Sequence, residues 1–122
     1  MSVPPFRATV AEIGSDVALV SVSGELDLYV EQELRAALES ADLLGTPTVI
    51  VDLSGVTFMD STVCGILLAE ARRRVRDEGR LILVSSGNST RRALDVSGID
   101  QVVSVHATLH AAFLDLLPEP VP

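Results

Sequence analysis

Apolar and polar positions change period repeatedly along this chain. Phe6 to Ile13 and Val17 to Ser23 read as strands, and Gly14-Ser15-Asp16 between them predicts a hairpin turn. Leu28 to Leu44 reads as a helix, because Val30, Leu34, Ala37, Leu38 and Ala41 recur at spacings of three and four until Gly45-Thr46-Pro47 stops it. Thr48 to Leu53 is a short β-branched run of the kind that forms a buried parallel strand. A second helix is predicted from about Thr62 to Asp77, ended by Gly79, and a further buried strand over Leu81 to Val84. Ser89 or Thr90 can cap a short helix that reaches Val96 and stops at Gly98. Gln101 to Val105 is predicted as the last strand, and Thr108 as the cap of a final helix ending near Leu117. The order β-β-α-β-α-β-α-β-α predicts an α/β domain, a mixed, mostly parallel sheet with about four helices packed on it. Such sheets bind at the carboxyl ends of their strands, which directs attention to the loop expected after Leu53.

The 122 residues bound this to one domain. Proline density sets residues 1–5 and 118–122 apart as tails around a domain over 6–117. A net charge of -8 argues against nucleic acid and anionic membrane surfaces as partners, and 3% aromatic residues argue against base-stacking platforms. The single cysteine, Cys64, excludes an internal disulfide. There is no apolar run of the roughly 18 residues a membrane helix needs, and no signal-peptide pattern, so a cytoplasmic protein without membrane insertion is expected.

The chemistry concentrates in the stretch from Val49 to Leu68. Asp60-Ser61-Thr62 starts the second helix, placing Ser61 at or beside its N-cap, where unpaired N–H groups and the positive end of the helix dipole favour an anion. A phosphate there would add roughly -1.5 to -2 charge beside Asp60. The plainer reading is that Ser61 or Thr62 simply caps the helix. On that helix Cys64, Leu67, Leu68, Ala71 and Val75 are expected to face the core. Thr62, Gly65, Ile66, Ala69 and Arg73 are expected on the outside; the first half of that face is small or apolar and with Met59 makes a small apolar patch beside Ser61.

Asp52-Leu53-Ser54-Gly55-Val56-Thr57-Phe58-Met59-Asp60-Ser61-Thr62 resembles the signature of STAS domains, specifically the anti-sigma factor antagonists. Gly24-Glu25-Leu26-Asp27 is similar to the family's Gly-Glu-Leu-Asp motif, and Arg91 to Ile99 to its later helix and Ser-Gly-Leu stop. The resemblance implies a non-enzymatic switch. The unmodified antagonist binds an anti-sigma factor that is also a serine kinase, freeing a sigma factor. The kinase then phosphorylates the antagonist and expels it, and a PP2C-type phosphatase resets it. No cofactor or metal is implied. The acceptor maps to Ser61, with Asp60 and Asp27 near it and Met59, Thr62, Gly65, Ile66 and Ala69 contributing to docking. One departure is Val63, which stands where the family usually has a glycine and adds bulk beside the acceptor.

Rival readings use the same residues. Ser61 with His106 or His110 as base would make a hydrolase, but the segment lacks the glycines of a nucleophile elbow. The two histidines have i, i+4 spacing without accompanying metal ligands. Arg72-Arg73-Arg74-Arg76 with Arg80 reads as a solvated helix end that complements the dipole. STAS domains also serve as subunits of lipid-transport ABC complexes and as stress-signalling scaffolds, and the complete Phe58-Met59-Asp60-Ser61 string favours the antagonist.

Overall fold

The computed structural model describes residues 5–118, so apart from Pro5 and Pro118 the expected tails lie outside the described residues. The elements run β1 (Arg7–Ile13), β2 (Val17–Leu26), α1 (Glu31–Leu43), β3 (Thr48–Met59), α2 (Ser61–Arg76), β4 (Arg80–Val84), α3 (Asn88–Ser97), β5 (Ser104–His106) and α4 (Leu109–Asp115). One sheet orders the strands β1-β2-β3-β4-β5. The β1–β2 hairpin is antiparallel and the remaining pairings are parallel.

Period-two alternation gives each strand two different faces. Ala18, Val20, Val22, Val49, Val51, Leu53, Leu81 and Leu83 point to the side covered by α1, α2 and α3. Val17, Ile50, Ile82 and Val84 point to the other side, where Ala112 of α4 meets them and Leu109, Phe113 and Leu116 pack alongside. Both faces of the central strands are thus covered, which is why those strands read as nearly continuous apolar runs. Each fully buried aliphatic side chain here contributes about 1.5–3 kcal/mol of transfer free energy.

Several boundaries differ from the sequence expectation. The chain from Ser54 to Met59 is not a loop: β3 continues to Met59, and β2 continues to Leu26, because the two strands pair past Gly55 and through Leu26↔Met59. The extra length is accommodated by register shifts between Ser21 and Ser23 and between Gly24 and Glu25. Gly24 sits at φ +98, and a Cβ there would lie 2.9 Å from the Pro5 carbonyl oxygen. A Cβ at Gly55 would lie 2.8 Å from Ser23 Cβ. The helix expected from Leu28 opens instead as a 3₁₀ turn over Leu28–Val30 before α1 proper. The last strand is Ser104–His106, because Gly98 at φ +79 launches a 3₁₀ turn through Ile99–Gln101. Neither Ser89 nor Thr90 caps α3: Gly87 is the N-cap, and buried Thr90 instead donates its hydroxyl to the Val56 carbonyl. Thr108 does cap α4, accepting the Ala111 N–H at 3.1 Å. Among the described residues, no helix is long and apolar enough to cross a membrane.

α4 is held to the sheet by charge as well as packing. Asp115 accepts from His106 Nε2 at 2.8 Å and pairs with Arg80 at 2.8 Å. The hydrogen bond from His106, then that from Arg80, hold its carboxyl below the ordinary 3.8, outweighing its partial burial. A depressed carboxyl contributes stability that is present above its unfolded value and lost as pH falls through its folded value. Urea unfolding at pH 7 should therefore show Asp115→Asn less stable than wild type, with the gap shrinking below about pH 3.8. An equal gap at both pH values would remove this carboxylate from the acid sensitivity of the fold.

Candidate functional site: the start of the second helix

Ser61 stands where β2, β3 and α2 meet. Leu26 and Met59 are register partners at the ends of their strands, and the Asp60 N–H donates to the Leu26 carbonyl at 3.1 Å. Asp27 and Asp60, which follow these residues, therefore leave the same corner of the sheet. Their carboxylates have separate duties. Asp60 is the N-cap of α2, accepting the Val63 N–H at 3.0 Å, while its carbonyl accepts from Cys64 N–H. Asp27 accepts the Tyr29 N–H at 3.0 Å and so fixes the 3₁₀ turn.

The capping assignment decides the state of Ser61. Neither Ser61 nor Thr62 is the cap, so the Ser61 hydroxyl is not needed to start the helix. It is exposed in the first turn of α2, and Thr62 beside it is exposed too. No hydrogen bond engages the Ser61 side chain among the described residues.

The expected patch is only partly present. Gly65 and Ala69 are exposed as predicted, but Met59 and Ile66 are each 6% exposed and belong to the core. Val75, expected inside, is exposed. The reason is that α2 lies between two helices, which widens and rotates its buried stripe to Val63, Cys64, Ile66, Leu67, Ala71 and Arg74. Ile66 faces the α1 side, lining a cleft with Leu38 and Asp42. Met59 is the last residue of β3, turned inward by the pleat. The arginine cluster is only partly a solvated end: Arg72 and Arg76 are exposed, but their neighbours are engaged. Arg74 is buried, donating to Asp42 at 3.0 Å and to the Thr46 carbonyl at 3.1 Å. Arg73 binds Glu70, Asp42 and Asp77. Burial pushes the Glu70 carboxyl up, opposed by its bond from Arg73. Neither histidine lines the cavity that holds Ser61, and His106 is engaged with Asp115 under α4.

In place of the expected patch there is a groove of about 550 Å³ between α2 and α3. Cys64, Gly65 and Leu68 line one side, Ala93 and Val96 the other, and Ser61 and Arg92 also border it. Cys64 Sγ approaches the Ala93 carbonyl at 3.8 Å, a point of contact between the two helices. The Cys64 thiol is buried and pushed up, first by burial and then by the Asp60 charge. Val96 is 83% exposed although it is apolar, and Tyr29, the one tyrosine of the chain, is 82% exposed. Leu28 and Phe58 are also exposed on the Asp27 and β3 side of the corner. Sequence reasoning did not place Leu28, Tyr29, Ala93 or Val96 beside Ser61, and named Phe58 only within a motif. The available signal was Val96, which stands two residues from buried Leu94 and hence off the core side of α3.

A STAS domain family model matches residues 8–112. The chain belongs to the STAS domain family, and within it to the anti-sigma factor antagonists. It is 32% identical over 85 residues to an anti-sigma F factor antagonist of Lysinibacillus sphaericus, covering 69% of this chain and 73% of that one. Among solved structures, an anti-sigma factor antagonist from Mycobacterium paratuberculosis superposes with a TM-score of 0.84 at 28% identity, covering 92% of this chain and 94% of that one. The phosphorylated form of the Bacillus cell fate determinant SpoIIAA shares the fold, with a TM-score of 0.69 at 24% identity over 91% and 100% of the two chains.

Gly65 is informative because nothing in its own chain requires it. A Cβ there would meet no atom within 4 Å, and its φ is not left-handed. A glycine inside a helix costs about 0.5–1 kcal/mol relative to alanine. Gly65→Ala should raise the unfolding free energy by that amount, whereas Asp60→Ala should lower it by about 1 kcal/mol through loss of the cap. Chemical denaturation followed by circular dichroism measures both. A destabilised Gly65→Ala would mean that the fold, and not the groove, demands the glycine.

Proposed function

We propose that this chain is the antagonist arm of a partner switch, without enzymatic activity of its own, acting in the cytoplasm. An anti-sigma factor that is also a serine kinase docks over the first turns of α2, fills the groove toward Val96, and contacts the rim formed by Leu28, Tyr29 and Phe58. Docking frees the sigma factor. Phosphorylation of Ser61 ends the interaction, and a PP2C-type phosphatase restores it. The observation that carries this reading is the Ser61 hydroxyl, exposed at the start of a helix that Asp60 already caps, on the border of an apolar groove.

The physical logic follows from that position. The hydroxyl is spare, so the kinase can take its proton and transfer a phosphoryl group without dismantling the helix. The N-terminal dipole of α2 stabilises the product within the protein. The partner surface, matched to a neutral hydroxyl and aliphatic walls, then meets a dianion it would have to desolvate. The relative SpoIIAA is known in a phosphorylated form, which supports such a modification on this fold. Asp60 and Asp27 shape the corner, the first by capping α2 and the second by holding the turn that presents Leu28 and Tyr29. Thr62, Gly65 and Ala69 supply contact surface. The Val63 side chain is turned into the core, so its bulk in place of a glycine does not stand between the kinase and Ser61.

Incubation with the cognate kinase and ATP should add one phosphate by intact mass, and Ser61→Ala should abolish it. Continued labelling of Ser61→Ala, or label on Thr62, would reject the acceptor. Ser61→Asp and Gly65→Arg should each weaken binding to the anti-sigma factor at least tenfold by calorimetry while leaving the far-ultraviolet spectrum unchanged. Full retention by Gly65→Arg would move the docking site away from the groove.

A further inference from the structure

We propose that Arg92 receives the phosphate of modified Ser61 across the α2–α3 groove, so that phosphorylation ties the two walls of the docking site together. This rests on the reading of Ser61 as the acceptor, and it adds a residue on a different helix to the switch.

Ser61 and Arg92 border the same groove from opposite helices. The helices touch where Cys64 Sγ meets the Ala93 carbonyl at 3.8 Å. Ala93 is the neighbour of Arg92, and Cys64 lies three residues after Ser61, about 4.5 Å along the helix axis. A long arginine side chain rooted beside that contact can reach a group on the first turn of α2.

Availability singles out this arginine. Arg91 is paired with Asp95 at 3.3 Å, and Arg73 and Arg74 are tied to Glu70 and Asp42 at the far end of α2. Arg92 is exposed and makes no ion pair among the described residues. The chain carries a net charge of -8 and Asp60 adjoins the acceptor, so an added dianion meets like charge beside it. A guanidinium offers two parallel N–H donors, and a phosphate monoester offers three acceptor oxygens. Bridged in this way, the pair crosses the groove at its Ser61 end, beside Cys64. The groove is then closed by occupancy as well as by repulsion, and a partner must break an internal ion pair before it can dock. A single carboxylate at position 61 forms a weaker bridge, so Ser61→Asp imitates the charge more fully than the closure.

The test installs phosphoserine at position 61 during translation, which needs no kinase. Phosphorus NMR then follows its second ionisation in the wild-type background and in Arg92→Ala, Arg92→Lys and Arg91→Ala. In the wild-type background the midpoint should lie below the unperturbed value of about 6. Arg92→Ala should raise it by about half a unit or more. Arg92→Lys should recover part of the depression, and Arg91→Ala should leave it in place. An unchanged midpoint in Arg92→Ala, in a protein whose amide spectrum remains folded, overturns the bridge. Because the phosphate is placed by translation, that result leaves the acceptor assignment intact, and a kinase that labels another residue leaves this titration readable.

Discussion

The pairing of β2 with β3 beyond the rest of the sheet is the constraint on which the site depends. Where β4 stops at Val84, opposite Asp52, β3 runs on for seven more residues with β2 as its partner. The bond from Asp60 N–H to the Leu26 carbonyl closes that ribbon. Two acidic turns are thereby delivered to one corner, and α2 must begin there. Asp60 caps the helix, Asp27 holds the turn, and the serine that opens the helix makes no side-chain hydrogen bond among the described residues. The exposure of the Ser61 hydroxyl follows from ribbon length and cap placement.

The fold was largely legible because its dominant signal is periodicity, and the central strands and helices supply it strongly. Leu34, Ala37, Leu38 and Ala41 are buried on α1 as their spacing predicts, and Thr108 caps α4. The misplacements share a cause, namely tertiary context overriding local pattern. Ser54-Gly55 looks like a turn, yet a partner strand with its own irregularities keeps it extended. Ile66 and Val75 exchange places because α2 is flanked on both sides, which no single-helix pattern encodes. Arg74 is buried because Asp42, 32 residues away, and the Thr46 carbonyl receive it. The position of Ser61 was readable from Asp-Ser-Thr before an apolar run. The groove was not, since half of it belongs to α3, and spacing within one helix says nothing about its neighbour.

Modest forces suffice for the switch described here. An exposed Val96, a glycine with open space above it and a few aromatic or aliphatic rim residues make a weakly apolar surface, well suited to a partner that must leave again. Phosphorylation at the acceptor proposed above would change one side chain from neutral to dianionic at the border of that surface. A reversible interface needs such a balance: enough apolar contact to assemble, and few enough contacts that one desolvation penalty dismantles them.

Gly24 and Gly55 carry an implication for how such chains diverge. Both are hemmed in by backbone or by a neighbouring strand, so the ribbon that aims the serine tolerates almost no change in shape. The residues that would meet a partner, by contrast, are surface side chains on α2, α3 and the 3₁₀ turn, unconstrained by the interior. Copies of this domain serving different signalling circuits in one cell could therefore drift apart in whom they recognise while the placement of the modifiable group stays the same. Insulation between circuits can arise by repainting the contact face alone, with the timing element inherited unaltered.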